Sequence, residues 1–507
     1  MRKVWTPRPD QQAVLDWIEH EPRAMLCCPT GAGKTVITAT DLASRMFDSF
    51  EVARALVVAP PLVCQGWLDE LAKWEHLSVF AASDTRALVA DDFDMCAGVA
   101  VTAKTQGKTK TRTLPKHEAA QYSPDEFDLR ATQMTFRDKK STKQRLLAYR
   151  ERLHVVSWTW WPWLAKALGV NWPYDAVVFD ESTRLRDLSS DAGTAARHVL
   201  RGVNRPPAVV RLLTATPAAN NVEAARSQMD LLEPGCLGAT LTEFRETFCR
   251  PKSKNWSTGQ VYKWELHPEM QSAFEAIVAR RSISVPSALS VPLVTSGHKI
   301  ALKNATKAAY ASLEAAGVVE GRVAGSEAVK HLWLRELANG FVYKDQAGER
   351  DAVQFGDEKM DWLAEFVESN EGKLLVAFEF EEQWRRLKKR FGKRVRDIRE
   401  PGAKDAFVSG GLQILALHPR SAGHGVDGLQ AVCNQVVWLC PTEDAELWTQ
   451  TNGRIHRTGT GAATVFVHVL VAAGTIEEGI YKETVPDKLQ AQASLLSAMA
   501  VQHKIAA

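Results

Sequence analysis

Long apolar runs are missing from this 507-residue chain: no stretch of about 18 consecutive apolar residues occurs, so no membrane-spanning helix is expected. The eight cysteines include no C-x-x-C pair, which argues against a zinc site or a disulfide framework and fits a reducing compartment. Charge of one sign is also missing. With 63 basic and 60 acidic side chains the formal net charge is +3, so any nucleic-acid contact has to come from local patches. The opening residues, Met1-Arg2-Lys3-Val4-Trp5-Thr6-Pro7, hold no apolar core of signal-peptide length, and a cytoplasmic location is expected. The 45% hydrophobic and 24% charged fractions are ordinary for a globular protein, and the length predicts roughly three domains.

The stretch Cys27-Cys28-Pro29-Thr30-Gly31-Ala32-Gly33-Lys34-Thr35 follows the apolar run Ala24-Met25-Leu26 and precedes a helical pattern from Val36. Strand, glycine turn, Lys-Thr and helix is the context in which backbone N–H groups close around a polyphosphate. In that reading Pro29, Thr30, Gly31, Ala32 and Gly33 form the cradle. Lys34 reaches the β- and γ-phosphates, and the Thr35 hydroxyl holds Mg2+. Cys28 stands where the usual pattern has its first glycine, so an ordinary glycine-rich turn is the alternative for this stretch alone.

Arg8-Pro9-Asp10-Gln11 opens an amphipathic segment with Pro9 in its first turn. Gln11 carries the donor and acceptor needed to read an adenine edge, or is a solvated helix residue. Ala55-Leu56-Val57-Val58-Ala59 reads as a buried parallel strand, followed by a helix carrying Trp67, Glu70 and Trp74. From about Thr102 to Arg150 comes a basic insertion (Lys104, Lys108, Lys110, Arg112, Lys116, then Arg137 to Arg145). It reads as flexible at first and helical later, either a solvated loop or an arm touching DNA. Asp175-Ala176-Val177-Val178-Phe179-Asp180-Glu181 then delivers two carboxylates to a strand end. Asp180 suits Mg2+ binding through water, and Glu181 suits polarising an attacking water. Thr214 and Thr216, in Leu213-Thr214-Ala215-Thr216-Pro217, can bond those carboxylates or simply cap their own strand.

Residues 236–357 lack repeated buried strands and read as mostly helical, with a polar loop from Pro251 to Gly259. Arg280-Arg281 there is either a phosphate contact or a solvated helix end. A second parallel series follows at Lys373 to Phe378, Leu412 to Leu417, Gln435 to Leu439 and Thr464 to Leu470. Between these strands lie Ser421-Ala422-Gly423-His424-Gly425 and Gln450-Thr451-Asn452-Gly453-Arg454-Ile455-His456-Arg457. The Arg454/Arg457 spacing predicts two guanidiniums on one helical face near Gln450. Such groups suit a transferring phosphoryl.

In this order the motifs resemble those of superfamily-two helicase-like ATPases (DEAD/DEAH-like), specifically the SWI/SNF-related group. Gln11 with Trp17 looks like the adenine-reading element, and residues 29–35 like the phosphate loop. Trp67, Glu70 and Trp74 resemble the Trp-x-x-Glu-x-x-x-Trp element, and Asp180-Glu181-Ser182-Thr183 the acidic motif. Thr214 to Asn220, Ser421 to Gly425, and Gln450 with Arg454 and Arg457 match the later motifs. Thr183 stands where a histidine is common in that group. Val426-Asp427-Gly428-Leu429 runs one residue longer than its usual Leu-Asn-Leu.

The resemblance implies an α/β fold of two RecA-like P-loop lobes with ATP and Mg2+ between them and translocation on double-stranded DNA. Single-stranded DNA or RNA are the other partners to consider. By position it makes Gln450, Arg454 and Arg457 sensor and arginine fingers, and Ser421, Gly423 and Gly425 DNA contacts. It also implies a monomeric motor of compact bacterial or bacteriophage type, with no membrane partner. The expected division is lobe one at 1–235 (basic insertion at about 103–150), helical and interlobe segments at 236–357 and lobe two at 358–484. A C-terminal helix at 485–507, brace or oligomerisation element, completes it. The competing functions are a strand-separating DNA or RNA helicase and a nucleotide-gated DNA-binding scaffold with little turnover.

Overall fold

The computed structural model describes residues 2–29, 31–81, 87–88, 97–105, 108–115, 135–136, 152–218, 220–254, 261–285, 289, 291–344, 351–420 and 428–503. They form two compact units, residues 1–287 with 494–507 and residues 288–493.

A seven-stranded sheet organises the first unit. Its order is Ser282–Ser284, Arg23–Cys27, Val209–Thr214, Ala176–Asp180, Ala55–Ala59, Leu153–Ser157 and Ala87–Leu88, with every neighbouring pair parallel. Successive side chains point to opposite faces. Met25, Cys27, Val177 and Phe179 enter one core, while Ala24, Leu26, Ala176 and Val178 enter the other. Helices Pro9–His20, Lys34–Phe47 and Pro61–Lys73 cover the second core through Val14, Ile18, Ile37, Leu42 and Trp67. Helices Trp161–Leu168, Val222–Leu232 and Gln271–Ala279 cover the first through Leu164, Met229 and Phe274. Burial on both faces is why these strands are unbroken apolar runs in the sequence.

Helix Lys34–Phe47 is anchored by charge as well as packing. Asp41 on its buried face accepts from Arg45 at 2.8 Å and from Arg211 at 2.9 Å. The Arg211 side chain, on the strand Val209–Thr214, is fully buried and also donates to the carbonyls of Glu21, Pro22 and Ile18. Asp41→Ala would leave the buried Arg211 guanidinium without its carboxylate, while Arg45 keeps Glu51, and removing one partner of a buried pair costs about 3–5 kcal/mol. The expected result is a large drop in the denaturation midpoint; a loss below about 1 kcal/mol would mean the carbonyls alone satisfy Arg211.

In the second unit a six-stranded sheet, again all parallel, runs Leu293–Ile300, Val465–Ala472, Gln435–Trp438, Leu374–Ala377, Ile414–Leu417 and Val395–Asp397. Its faces bury separate cores, Leu375, Leu415 and Val436 on one side and Val376, Ile414 and Val437 on the other. Lys359 Nζ is buried against both carboxylate oxygens of Glu477 at 2.7 Å and against Asn339 Oδ1 at 2.9 Å, pinning helix Glu358–Glu368 to the turn after Glu327–Ala338. A Cβ at Gly297 would lie 2.5 Å from the Tyr481 ring, so a side chain at that strand position would force the ring to move.

Several expectations need correction. The first part of the basic insertion is not a flexible segment: Ala97–Thr105 and Lys108–Pro115 pair antiparallel, with Thr135–Phe136 on the other edge. The alternation Lys108-Thr109-Lys110-Thr111-Arg112-Thr113 is a period-two pattern that suits a strand. Lys116 and the stretch expected to be helical, residues 137–150, lie outside the described residues. Residues 236–357 are not a separate helical region, because the division between units falls at 287/288. Ser282–Ser284 belongs to the first sheet, Leu293–Ile300 to the second, and Cys249–Lys254 pairs antiparallel with Val261–Leu266 where a polar loop was expected. Leu293–Ile300 is an edge strand with exposed positions, so it lacks the apolar run that marks a doubly buried strand.

The helix Val485–Gln502 ends in the first unit, where Leu495 and Met499 enter the core, Ser494 bonds Glu275 at 2.7 Å and His503 packs on Trp17. Among the described residues no helix is long and apolar enough to cross a membrane.

Candidate nucleotide site

Parallel register gathers the site. Cys27 pairs with Thr214 and Leu213 with Asp180, so the glycine loop, the Thr214 strand end and the acidic pair leave the sheet at one edge. Carboxyl ends of parallel strands are where open α/β sheets bind ligands.

The loop is shaped by backbone that favours glycine: Gly31 has φ +84° and Gly33 φ +94°. Gly33 has a second reason to lack a side chain, since a Cβ there would lie 2.6 Å from Gln11 Nε2. Helix Lys34–Phe47 starts with no side-chain cap and no acidic residue in its first turn, leaving its N–H groups and positive dipole end to the loop. Lys34 Nζ donates to Cys28 O at 2.8 Å, folding back across the turn; Thr35 is half-buried in the same helical turn. Burial pushes the Cys28 thiol up to about 11, so this neighbour of Lys34 carries no charge near neutral pH. Thr30 lies outside the described residues.

Gln11 is buried, and its amide holds the loop: Nε2 donates to Ala32 O at 2.8 Å and Oε1 accepts from Arg8 N at 3.0 Å. One N–H and one oxygen lone pair remain for a base.

Asp180 is buried and fully oriented. Its Oδ2 accepts from the Trp67 indole at 2.9 Å and its Oδ1 from the Glu181 N–H at 3.0 Å. The Trp158 indole donates to its backbone oxygen at 2.9 Å. Burial raises the carboxyl above its ordinary value, while the Trp67 bond and the Lys34 charge pull it back. A desolvated carboxylate under the charge of Lys34, at the sheet edge where the helix carrying Thr35 begins, fits a hydrated Mg2+, which takes one or two carboxylates and completes its shell with water and phosphate. No group of three or more His, Cys, Asp or Glu among the described residues could hold a metal alone, and such a site needs none. Nothing local links residues 67, 158 and 180, so the two indoles are not legible from sequence as Asp180 donors.

Glu181 has φ +54° and ψ +56°, the left-handed region that a non-glycine residue occupies at a cost of about 1–3 kcal/mol. It precedes the 3-10 turn Ser182–Leu185. Thr214 Oγ1 accepts from the Thr216 N–H at 2.9 Å, which is strand-end capping, and Thr216 Oγ1 is buried without a partner among the described residues. The expected hydroxyl link to the carboxylates is therefore replaced. Ser182 Oγ donates to Gln228 Oε1 at 2.7 Å, and Gln228 Nε2 donates to Pro217 O at 2.9 Å. Arg281 is ion-paired with Glu21 and Glu233, and Arg280 with Glu233, at the amino edge of the sheet, where Met25 N donates to Arg281 O. That is the edge away from the glycine loop, so neither arginine is a phosphate contact at this site.

In the second unit, Gln450 lies on helix Ala445–Asn452 and donates to Glu446 at 3.1 Å. Arg454 and Arg457 are not on that helix, contrary to expectation. It ends at Asn452, whose side chain accepts from the Trp438 indole at 3.0 Å, and turns follow. Buried Ile455, a 2.8 Å contact from His456 Nε2 to Val291 O and the Thr460 hydroxyl on Ile455 O at 2.7 Å fix those turns. Arg454 is buried and Arg457 half-buried. Ser421, Gly423 and Gly425 lie outside the described residues.

A glycine loop opening a helix, with an Asp-Glu pair at the same edge of a parallel sheet, defines a RecA-like P-loop lobe. The second parallel sheet makes this a two-lobe fold. The SNF2-related domain family matches residues 10–339, and the chain belongs to that family. It is 25% identical over 520 residues to protein p41 of Acyrthosiphon pisum secondary endosymbiont phage 1, covering 98% of this chain and 99% of that one. A solved structure, the Sulfolobus solfataricus SWI2/SNF2 ATPase core in complex with dsDNA, is similar at 16% identity and a TM-score of 0.38, covering 99% of this chain and 95% of that one. ATPases of the SNF2 family use ATP with Mg2+.

Proposed function

We propose that this protein is a DNA-dependent ATPase that couples hydrolysis to translocation along double-stranded DNA. The observation that carries the reading is the sheet register that brings Lys34 and the Asp180-Glu181 pair to one edge. Left-handed backbone at Glu181 supports it, because strain of that kind persists where a side chain must be aimed. Family membership supports the nucleotide chemistry, and the SWI/SNF resemblance supports duplex DNA as the track.

In this reading residues 29–33 and Lys34 bind the polyphosphate, while Thr35 and Asp180 hold the Mg2+. The ion, when bound, neutralises charge on the β- and γ-phosphate oxygens. Asp180 keeps one lone pair direction on each oxygen after its Trp67 and Glu181 bonds, enough to accept from metal-bound water. Glu181 orients the attacking water and takes its proton. Gln450, Arg454 and Arg457 supply donors to the transferring phosphoryl when the lobes close, and lobe motion moves the protein along DNA.

The test is phosphate release measured with no nucleic acid, single-stranded DNA, duplex DNA and RNA, followed by triplex- and strand-displacement assays. Stimulation greatest with duplex DNA, with triplex displacement and no strand separation, is expected. Strand separation without triplex displacement would make the protein an unwinding helicase, and no stimulated turnover would make it a nucleotide-gated scaffold.

A further inference from the structure

The buried amide of Gln228 has no part in nucleotide binding, yet it occupies a costly position. Helix Val222–Leu232 turns a face of Ala225, Met229, Leu231 and Leu232 into the core, and Gln228 sits in that face with no exposed surface. A polar side chain so placed persists only if its hydrogen bonds are made. They are. Both amide hydrogens go to carbonyls, Pro217 O at 2.9 Å and Ala224 O at 3.1 Å, and the amide oxygen accepts from Ser182 Oγ at 2.7 Å. Two carbonyls on one side fix which end is nitrogen, because the flipped amide would set oxygen against oxygen. Ser182, also fully buried, directly follows Glu181, and Pro217 lies in the loop that leaves the Thr214 strand.

We infer that Gln228 is a positioning residue for Glu181. It holds the Ser182 turn through the hydroxyl and the Pro217 loop through the amide hydrogens, so the two loops at the nucleotide edge keep one spacing. The left-handed Glu181 backbone then has a fixed neighbour on its C-terminal side and the Asp180 bond on its N-terminal side. Thr214 and Thr216 do not make this connection; the Ser182–Gln228–Pro217 bridge does. The inference rests on the ATPase reading above and assigns that site a further residue.

The experiment measures DNA-stimulated kcat, KM for ATP and the thermal midpoint in the full chain. The proteins are wild type, Ser182→Ala, Ser182→Thr, Gln228→Met and the Ser182→Ala/Gln228→Met double variant. Ser182→Ala should lower kcat about tenfold, the rate equivalent of one hydrogen bond, with KM within about twofold of wild type. Ser182→Thr, which keeps the hydroxyl, should recover most of the rate. The double variant should be no slower than Gln228→Met alone, since both break one bridge. Unchanged kcat in Ser182→Ala, multiplicative losses in the double variant, or a rate loss in Ser182→Ala that only follows its thermal midpoint would each overturn the inference. A wild-type protein without stimulated turnover would instead sink the ATPase reading on which it rests.

Discussion

Glu181→Gln should bind ATP as tightly as wild type and release phosphate at least about a hundredfold more slowly, the low end of what a positioned general base contributes. Gln keeps the shape of Glu and occupies left-handed backbone at a similar cost, so the Ser182–Leu185 turn and the Asp180 Oδ1 bond, which uses the Glu181 backbone N–H, should survive. What is lost is the acceptor for the water proton. Lys34→Ala should fail differently. Its ammonium donates to Cys28 O and its charge acts on Asp180, so removing it takes a phosphate ligand and a cation from the edge together. Nucleotide affinity should fall along with turnover. Equilibrium binding of ATP beside single-turnover hydrolysis separates the two; a Glu181→Gln protein hydrolysing within tenfold of wild type would remove Glu181 from the proposed chemistry.

Such contrasts follow from local chemistry, and local chemistry is what the sequence makes legible. The glycine loop and its Lys-Thr, and the apolar strands at 55–59 and 176–180, announce themselves because each carries its signal within a few residues. Parallel order follows from burial on both faces. Where a feature depends on a distant partner, the signal vanishes. Nothing beside Trp67 or Trp158 in the sequence marks either as a partner of Asp180, and only the fold shows that their N–H groups converge on it. Gln228 reads as one polar residue in an amphipathic helix until Ser182 is found against it. Leu293–Ile300 is hidden for the opposite reason: an edge strand with polar and exposed positions has no doubly buried pattern to show. Spacing alone also misleads near helix ends. Arg454 and Arg457 fit a helical face, but Asn452 and Thr460 spend their side chains on other partners and turns form instead.

That turn makes Arg457 a cleaner test of the second lobe than Arg454. Arg454 is buried, so Arg454→Ala would lose packing along with charge and confound rate with stability. Arg457 is half-buried, and the turn around it is held by other groups: Ile455 in the core, His456 against Val291 O and the Thr460 hydroxyl on Ile455 O. Arg457→Ala should therefore lower the midpoint less than Arg454→Ala and bind ATP normally, yet hydrolyse it about 10³-fold more slowly, the lower end of what an arginine finger contributes. Arg457→Lys should recover little. A compact ammonium keeps the charge but loses the planar fork that presents two donors to phosphoryl oxygens. Single-turnover hydrolysis in saturating duplex DNA reads the effect without product release. If lysine restored the rate, charge alone would suffice and the finger geometry would be wrong. If alanine left the rate within tenfold, the second lobe would act by moving DNA and not by completing the ATP site.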